Sequence, residues 1–310
     1  MAPPSFEPAA VRVLVPATSA NLGPGFDAFG LALGLYDEVV VRAADAGLRV
    51  SVTGEGAGDL PRDERHLVVA SLRAAFDLLG GQPAGLEVAC TNRIPQSRGL
   101  GSSAAAIVAG VLAARALVVG GSSVCDDDAA LTLAARLEGH PDNVAACLLG
   151  GLTIAWSADG RTGSSRIRAV RLEPAADLAP VVFVPVARSS TVRARAALPA
   201  TVPHADAAAN AGWAALLVPA MTGRLDLLFD ATQDRLHQDA RGLSMPETAA
   251  LVHALRGRGI PAVVSGAGPA VLAFTHTDLS SYAGADWHIL RLPVAAGPAT
   301  TMLREHAGGG

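Results

Sequence analysis

The most informative segment of the sequence is Pro95-Gln-Ser-Arg-Gly-Leu-Gly-Ser-Ser-Ala-Ala105. An apolar stretch with the pattern of a strand, residues 86–91, precedes it, and an apolar run that continues to Val119 follows it. Strand, glycine-rich loop and helix in this order favour phosphate binding, because the first N–H groups of a helix point outward at the positive end of its dipole. The pattern therefore predicts an anion site; the alternative is a Gly-Ser turn that caps an ordinary helix.

The residue types within this segment fit the anion site. Gly99 and Gly101 let the backbone approach a ligand closely, since glycine has no Cβ. Ser102 and Ser103 stand at the predicted helix start, where their hydroxyl groups would join the free N–H groups. The small residues behind them would let the helix pack tightly against its neighbours.

The chain of 310 residues contains no lysine, so all 24 of its positively charged side chains are arginines. This absence excludes a Walker A loop, a protein-kinase ATP site and a pyridoxal Schiff base, each of which depends on a lysine. If the protein handles phosphate, it must do so with backbone N–H groups, arginines and a metal ion.

Charge, hydropathy and cysteine usage narrow the class of protein further. The net charge of −4 argues against a nucleic acid as the main partner. No uninterrupted apolar run approaches the length of about 18 residues that a membrane helix needs, so we expect no membrane span. Cys90, Cys125 and Cys147 form no CxxC pair, which favours reduced thiols in the core of a cytoplasmic protein.

The order of predicted elements favours an α+β fold. Strands and helices mix without a regular βαβ period, which disfavours a doubly wound sheet. The length fits two medium domains, and the polar, Gly/Ser-rich residues 158–165 are the best candidate for the crossover between residues 1–160 and residues 161–310. We also expect a polar loop at residues 16–25 and a closing strand at residues 287–292.

A second segment dense in functional side chains, residues 138–143, reads Glu-Gly-His-Pro-Asp-Asn. It is either a turn in which Asp142 or Asn143 caps the next helix, or a His/Asp metal site. Zinc is disfavoured because the segment has no His-x-x-x-His pattern and no thiol.

Two more segments leave a similar choice open. In residues 16–27, Asn21 and Asp27 are as well placed to bind a polar substrate as to pin the loop, because buried polar side chains need partners. Residues 266–269, Gly-Ala-Gly-Pro, lie between two apolar strands and could be a tight turn and nothing more.

Together the four segments resemble, in order and spacing, the motifs of the small-molecule kinases that act on galactose, homoserine, mevalonate and phosphomevalonate. Within that superfamily the sequence is similar to the homoserine kinase family over most of its length. Residues 16–27 follow the family's Pro-x-Ser/Thr-Ser-Ala-Asn-Leu-Gly-x-Gly-Phe-Asp pattern, and residues 138–143 are identical to its third motif. Later segments that also fit are Thr191, Arg195, Leu198 and Pro199, residues 234–238, and residues 265–269.

The resemblance implies an architecture and an activity. The fold would be α+β, with an N-terminal ribosomal-protein-S5-like ATP-binding domain, a C-terminal ferredoxin-like domain and the active site in the cleft between them. The reaction would be ATP-dependent phosphorylation of the side-chain hydroxyl of L-homoserine to O-phospho-L-homoserine, in threonine biosynthesis. ATP and Mg²⁺ would be the cofactors, and a homodimer is a family-level expectation. The alternatives are a related kinase for another small hydroxylated acid and a non-catalytic small-molecule sensor of the same fold.

The resemblance also implies site residues. The residues that would wrap the ATP phosphates are Pro95, Arg98, Gly99, Leu100, Gly101, Ser102, Ser103, Ala104 and Ala105. Mg²⁺ would lie between a loop serine, Ser102 or Ser103, and Glu138. The residues that would hold the amino acid are Asn21, Asp27, His140, Asn143, Thr191, Arg195 and Arg241. Catalysis would rest on Glu138, Asn21 and Ser103, with no dedicated base and direct in-line attack by the hydroxyl on the γ-phosphate.

Two departures from the family pattern concern residues near these sites. The family commonly has Pro-Tyr-Arg after the late Gln, whereas this chain has Asp239-Ala240-Arg241. Near the adenine side the family often has Asn-Leu, whereas this chain has His66-Leu67. The first changes the surroundings of Arg241, and the second affects contacts to the base rather than to the phosphates.

Overall fold

The computed structural model of the protein describes residues 4–159, 166–188, 191–282, 284 and 286–303, with the backbone alone at residues 191–193. Within these residues the chain forms two β-sheets with helices packed against them, so the predicted α+β class is confirmed. In chain order the strands are β1 (Ala10–Ala20), β2 (Phe29–Ala44), β3 (Gly47–Gly54), β4 (Gly85–Asn92), β5 (Leu152–Ser157), β6 (Ile167–Leu172), β7 (Pro180–Pro185), β8 (Ala262–Val264), β9 (Val271–Phe274), β10 (Trp287–Arg291) and β11 (Ala299–Leu303). The helices are α1 (Leu67–Leu78), α2 (Ser102–Leu117), α3 (Gly121–Val124), α4 (Asp127–Glu138), α5 (Asp142–Leu149), α6 (Thr191–Ala196), α7 (His204–Thr222), α8 (Leu228–Ala231), α9 (Gln238–Gly242) and α10 (Pro246–Arg256).

The first sheet has the strand order β11-β1-β2-β4-β3, and β5 and β6 extend it from β2. Helices α2, α4 and α5 pack on it, and α1 packs on α2, which lies at the centre of the group. Because α2 is composed mainly of alanine and other small apolar residues, it can be buried nearly all round. The sheet and these helices share one large apolar core.

The second sheet is antiparallel and has the order β10-β7-β9-β8. Counted along the chain, this is the order 4-1-3-2, which is the order of the ferredoxin-like domain that the resemblance implies. Helix α10 packs on this sheet, and Leu251 and Leu255 of the helix meet Val181 and Phe183 of β7 in a second apolar cluster. No helix among the described residues is long and apolar enough to cross a membrane.

Two strands from the second half of the chain belong to the first sheet. Strand β6 pairs with β5, and β11 pairs with β1 in an antiparallel register that puts Ala10 opposite Leu303. A division at residue 160 therefore does not separate the two sheets, because the first takes β6 and β11 from the chain beyond it. Most of the proposed crossover, residues 160–165, lies outside the described part of the chain.

The prediction of a polar loop at residues 16–25 is wrong for the first half of this range, because β1 continues to Ala20. Thr18 and Ser19 lie in this strand and are fully buried. Their hydroxyl groups are satisfied by residues far along the chain: Thr18 donates to Asn143 at 2.8 Å, and Ser19 lies 2.8 Å from the hydroxyl of Ser265. A polar stretch can thus be a buried strand where remote loops supply its partners.

Candidate active site

A cavity of about 520 Å³ lies where the four segments meet. It is bounded by the turn after β1, the loop before α2, the connection from α4 to α5, and the turn between β8 and β9. Arg195 of α6 and Arg241 of α9 also line it. Of the predicted site residues, those that line the cavity are Asn21, Asp27, Arg98, Gly99, Leu100, Gly101, Ser102, Ser103, Ala105, Glu138, His140, Asn143, Arg195 and Arg241.

Three predicted residues are not among those that line the cavity. Pro95 lies in the loop before α2 but outside the cavity lining, and Ala104 is fully buried within α2. Thr191 begins α6, but its side chain lies outside the described part of the chain.

The glycine-rich loop is held in a conformation that only glycine adopts easily. Gly99 and Gly101 have φ values of 80° and 68°, in the left-handed region. A Cβ on Gly99 would meet the carbonyl oxygens of Ser265 and Gly268, the second at 2.9 Å. The first N–H groups of α2, from Ser102 onward, follow directly and have no acceptor within the helix. The loop therefore brings a helix N-terminus to the cavity, as an anion site requires.

Side chains fasten this loop to the second sheet, at the ends of β7 and β8. The hydroxyl of Ser265 lies 2.7 Å from the carbonyl oxygen of Gly99, which ties the loop to the strand β8 end. Arg98 donates from Nε to the carbonyl oxygen of Pro185 and from Nη2 to that of Val186, each at 2.7 Å. Its Nη1 donates to Gln96, so every guanidinium nitrogen of Arg98 already has a backbone partner. We therefore propose that Arg98 anchors the loop to β7 rather than contacting phosphate.

Ser103 and Glu138 form a pair of oxygen donors beside the helix N-terminus. Glu138 is the last residue of α4, which ends at Gly139 in the left-handed conformation. The hydroxyl of Ser103 donates to Oε1 of Glu138 at 2.6 Å. Burial raises the pKa of Glu138, and the hydrogen bond from Ser103 opposes this shift. Within the described residues no group of three or more His, Cys, Asp or Glu side chains is placed to hold a metal ion.

Opposite charges also meet in the lining of this cavity. Nη2 of Arg195 lies 2.7 Å from Oδ1 of Asp27 in a half-exposed ion pair. Arg241 is buried, and its guanidinium lies over the ring of Phe26 at 5.4 Å from the centroid. One anionic and two cationic side chains thus meet in a small volume, which suits a ligand that carries both charges.

The two predicted asparagines are fastened by hydrogen bonds while they line the cavity. Nδ2 of Asn21 donates to the carbonyl oxygen of Gly266 at 2.8 Å, and its Oδ1 accepts from the N–H of Asp27 at 3.0 Å. Oδ1 of Asn143 accepts from Thr18 at 2.8 Å. Both amides are therefore preorganised, and each keeps hydrogen-bonding capacity for a ligand.

Backbone strain concentrates at the same place. The described non-glycine residues with positive φ are Asn21, Leu22, Asp27 and Ser97, and all but Leu22 line the cavity. Such conformations cost about 1–3 kcal/mol each and persist where the surroundings impose them. Their clustering around one cavity supports a functional role for it.

The cavity also contains residues that the sequence did not assign to the site. Asp37 lines the cavity and accepts hydrogen bonds from the N–H groups of Arg93 and Ile94 at 2.6 and 2.8 Å. Next to the lining, the ring of Phe26 lies under the guanidinium groups of the two arginines, and His237 stacks on this ring. Phe26 and His237 lie in segments that carried the resemblance, so their position in those motifs was an available signal. Asp37 lies within a strand, and no local pattern distinguishes it.

His66 is a buried histidine in the lining of the cavity. It is 3% exposed, and neither ring nitrogen has a hydrogen-bond partner among the described residues. Burial lowers the pKa of His66, which favours the neutral ring. Leu60, Leu67 and Val68 line the cavity beside it, so this end is mainly apolar with one unsatisfied polar group.

The buried carboxyl of Asp142 predicts how the free energy of unfolding changes with pH. Burial, and next the charge of Asp27, raise the pKa of Asp142 from 3.8 to about 7. Between these values the folded protein binds more protons than the unfolded chain, so this residue makes stability fall as the pH rises. At about 1.36 kcal/mol per pKa unit, the cost above pH 7 reaches at most about 4 kcal/mol.

Replacing this carboxyl by an amide should remove the cost. We expect Asp142→Asn to be more stable than the parent at about pH 8, and the difference to vanish as the pH falls toward about 4. The Asn oxygen can still accept the bond from the N–H of Asn143 that Asp142 accepts at 2.7 Å. Urea unfolding of both proteins at several pH values measures the difference, and a pH-independent difference would contradict this reading.

Comparison with known proteins agrees with this fold. Residues 66–151 match the family model of the GHMP kinases N terminal domain, and residues 216–283 match that of the GHMP kinases C terminal. The homoserine kinase of Streptomyces coelicolor is 60% identical over 97% of this chain and 97% of its own length. That of Streptomyces avermitilis is 60% identical over 97% and 99%. The crystal structure of homoserine kinase from Cytophaga hutchinsonii superposes with a TM-score of 0.79 at 27% identity, covering 94% of this chain and 98% of that one.

The two sheets, the helix N-terminus at the glycine-rich loop and these matches define the class of protein, a GHMP-type small-molecule kinase. Within that class, the chain belongs to the homoserine kinase family. The family and the two-part fold expected from the sequence motifs are both confirmed.

Proposed function

We propose that the protein transfers the γ-phosphoryl group of ATP to the side-chain hydroxyl of L-homoserine and releases O-phospho-L-homoserine. One observation carries the proposal beyond family membership: a single cavity joins an anion-binding helix N-terminus to a cluster of opposite charges. The first feature suits a polyphosphate, and the second suits a zwitterionic amino acid.

We place the nucleotide along the glycine-rich loop of this cavity. Its phosphates would lie against the loop at Gly99 and Gly101 and the first N–H groups of α2, where backbone dipoles replace the missing lysine. The base would then lie at the apolar end beside Leu67, where a base nitrogen or amino group could satisfy the unpartnered ring of His66.

The oxygen donors at Ser103 and Glu138 fit a magnesium ion. Mg²⁺ prefers oxygen ligands and is commonly held by one or two protein groups plus substrate phosphates, and this site offers a hydroxyl and a carboxylate 2.6 Å apart. When bound, the ion neutralises charge on the phosphate oxygens. Glu138 would bind it directly, and Ser103 orients the carboxylate through its hydrogen bond.

The amino acid would take the place of the ion pair between Asp27 and Arg195. Its ammonium group would pair with Asp27, and its carboxylate with the guanidinium groups of Arg195 and Arg241, whose planar donors suit bidentate binding. An exposed ion pair contributes little free energy to stability. Replacing it by two ion pairs with the substrate therefore costs little free energy.

Positioning accounts for most of the catalysis that we propose. Asn21 and Asn143, fastened by their own hydrogen bonds, would orient the substrate hydroxyl toward the phosphate. The mechanism uses no dedicated base, and the hydroxyl proton would pass to a phosphate oxygen during in-line attack.

A panel of acceptors tests the proposal. We expect coupled ADP release to be fastest with L-homoserine and slow with L-serine, L-threonine and mevalonate, since mevalonate has no ammonium group for Asp27. A faster rate with another hydroxylated acid would favour a related kinase, and nucleotide binding without ADP release would favour a sensor. No turnover at millimolar homoserine would contradict the proposal.

We also propose a cytoplasmic location, and a role in threonine biosynthesis that follows from the proposed product. The described cysteines, Cys90, Cys125 and Cys147, are free and buried, which accords with a reducing cytoplasm. The homodimer expected from the resemblance stays a prediction.

A further inference from the structure

Arg241 is a buried cation with no carboxylate in direct contact with it among the described residues, although the charge of Asp27 acts on it from a greater distance. It is 2% exposed, and within the described part of the chain it forms no ion pair at 4.0 Å or less. Its Nε has no hydrogen-bond partner. A buried charge without a counter-ion is costly, so the cavity that Arg241 lines is prepared for an anionic group from a ligand.

His237 holds this guanidinium through a fixed tautomer. Nη1 of Arg241 lies 3.1 Å from Nδ1 of His237 and 3.1 Å from the carbonyl oxygen of Gly266. Because a guanidinium can only donate, Nδ1 must be unprotonated and accept. Nε2 then carries the proton and donates to the carbonyl oxygen of Gly23 at 2.8 Å. Burial lowers the pKa of His237, which favours the neutral ring that this network needs.

Phe26, which precedes Asp27 in the turn after β1, contacts both His237 and Arg241. Its ring stacks on His237 with centroids 5.1 Å apart and an angle of 28° between the planes. The guanidinium carbons of Arg241 and Arg195 lie 5.4 and 5.8 Å from its centroid, within the range of cation–π attraction. The stacked rings of Phe26 and His237 therefore fix the positions of both arginines near Asp27.

We propose that His237 is a positioning residue that, stacked on Phe26, aims the guanidinium of Arg241 at the carboxylate of the amino acid substrate. The inference rests on the proposed function, because that function supplies the carboxylate. His237 acts through Arg241 and does not touch the reacting atoms. Its loss should therefore weaken recognition of the carboxylate more than it slows phosphoryl transfer.

The competing explanation is that His237 only fastens the turn through Gly23. Two substitutions separate the explanations, because each keeps one half of the imidazole. In His237→Asn the amide oxygen replaces Nδ1 and can accept from Arg241, whereas the bond to Gly23 is lost. In His237→Gln the longer amide can still donate to Gly23, but the acceptor for Arg241 is lost.

The experiment compares both variants with the parent as purified full chains. We expect His237→Gln to raise KM for L-homoserine about tenfold or more, the value of a hydrogen bond to a charged group. Its kcat and its KM for ATP should change little, and His237→Asn should restore KM for homoserine close to the parent value. L-homoserine amide, which lacks the carboxylate charge, should lose no comparable affinity in His237→Gln.

The outcomes are distinguishable. The positioning role would be overturned if KM for homoserine rose equally in His237→Asn and His237→Gln. It would also be overturned if His237→Gln raised KM equally for homoserine and for its amide. If thermal unfolding shows that His237→Gln does not fold, Phe26→Leu is compared on the same two substrates, and an unchanged preference for the carboxylate would overturn it. Failure of the proposed function would be seen separately, as absence of homoserine turnover by the parent.

Discussion

Glu138→Gln should lower kcat by about 10²–10³-fold, the usual cost of removing one preorganised group that stabilises transition-state charge. The amide has nearly the shape of the carboxylate and can still accept the hydrogen bond that Ser103 donates at 2.6 Å, so the fold should be kept. It has no negative charge, so it holds a divalent cation poorly next to the phosphates. Steady-state rates at saturating ATP and homoserine, over a range of Mg²⁺ concentrations, measure the effect.

Ser103→Ala and the double variant serve as controls for this first prediction. If Ser103 acts by orienting Glu138, the double variant should be scarcely worse than Glu138→Gln alone, because the two residues work as one unit. A Glu138→Gln enzyme whose kcat lies within about threefold of the parent would remove Glu138 from the proposed mechanism.

Gly99→Ala should lower kcat/KM for ATP by about 10²-fold, the size of effect that follows from a displacement of about 1 Å at a reacting centre. The new Cβ would meet the carbonyl oxygens of Ser265 and Gly268, and neither can move as the end of a flexible side chain could. The loop would have to shift, and the N–H groups of α2 would no longer lie where the phosphates need them.

Gly120→Ala is the matched control for this second prediction. Gly120 has a φ of 75°, close to the 80° of Gly99, but a Cβ there would meet no atom within 4 Å. Both variants therefore carry the conformational cost of a positive φ, and only Gly99→Ala carries the clash. Equal activity in the two variants would show that the close approach at Gly99 is not needed for nucleotide binding.

Local patterns in the sequence predicted the elements that carry the glycine-rich loop. The apolar stretch before Pro95 and the small apolar residues after Ser103 are local patterns that need no knowledge of distant residues. They correspond to β4 and α2. The residues that the motifs assigned to the site mostly line one cavity, from Asn21, directly after β1, to Arg241 in α9.

The sequence did not show what depends on distant partners. Strand β11, Ala299–Leu303, is exposed along most of its length and has no clear alternation, so only its pairing with β1 defines it. Arg98 was assigned to phosphate because of its neighbours, yet its hydrogen bonds go to carbonyl groups at the end of β7, more than 80 residues away. Contacts of this kind are absent from any local pattern.

The pairing of β11 with β1 also bears on how the protein folds as it is made. Strand β1 ends at Ala20, and its neighbour on one side is formed only by Ala299–Leu303. A chain that leaves the ribosome from its N-terminus must therefore keep that edge of β1 unpaired until Ala299–Leu303 have been synthesised. Because an unpaired strand edge is a template for pairing with other chains, the growing polypeptide is open to aggregation along β1 during this interval.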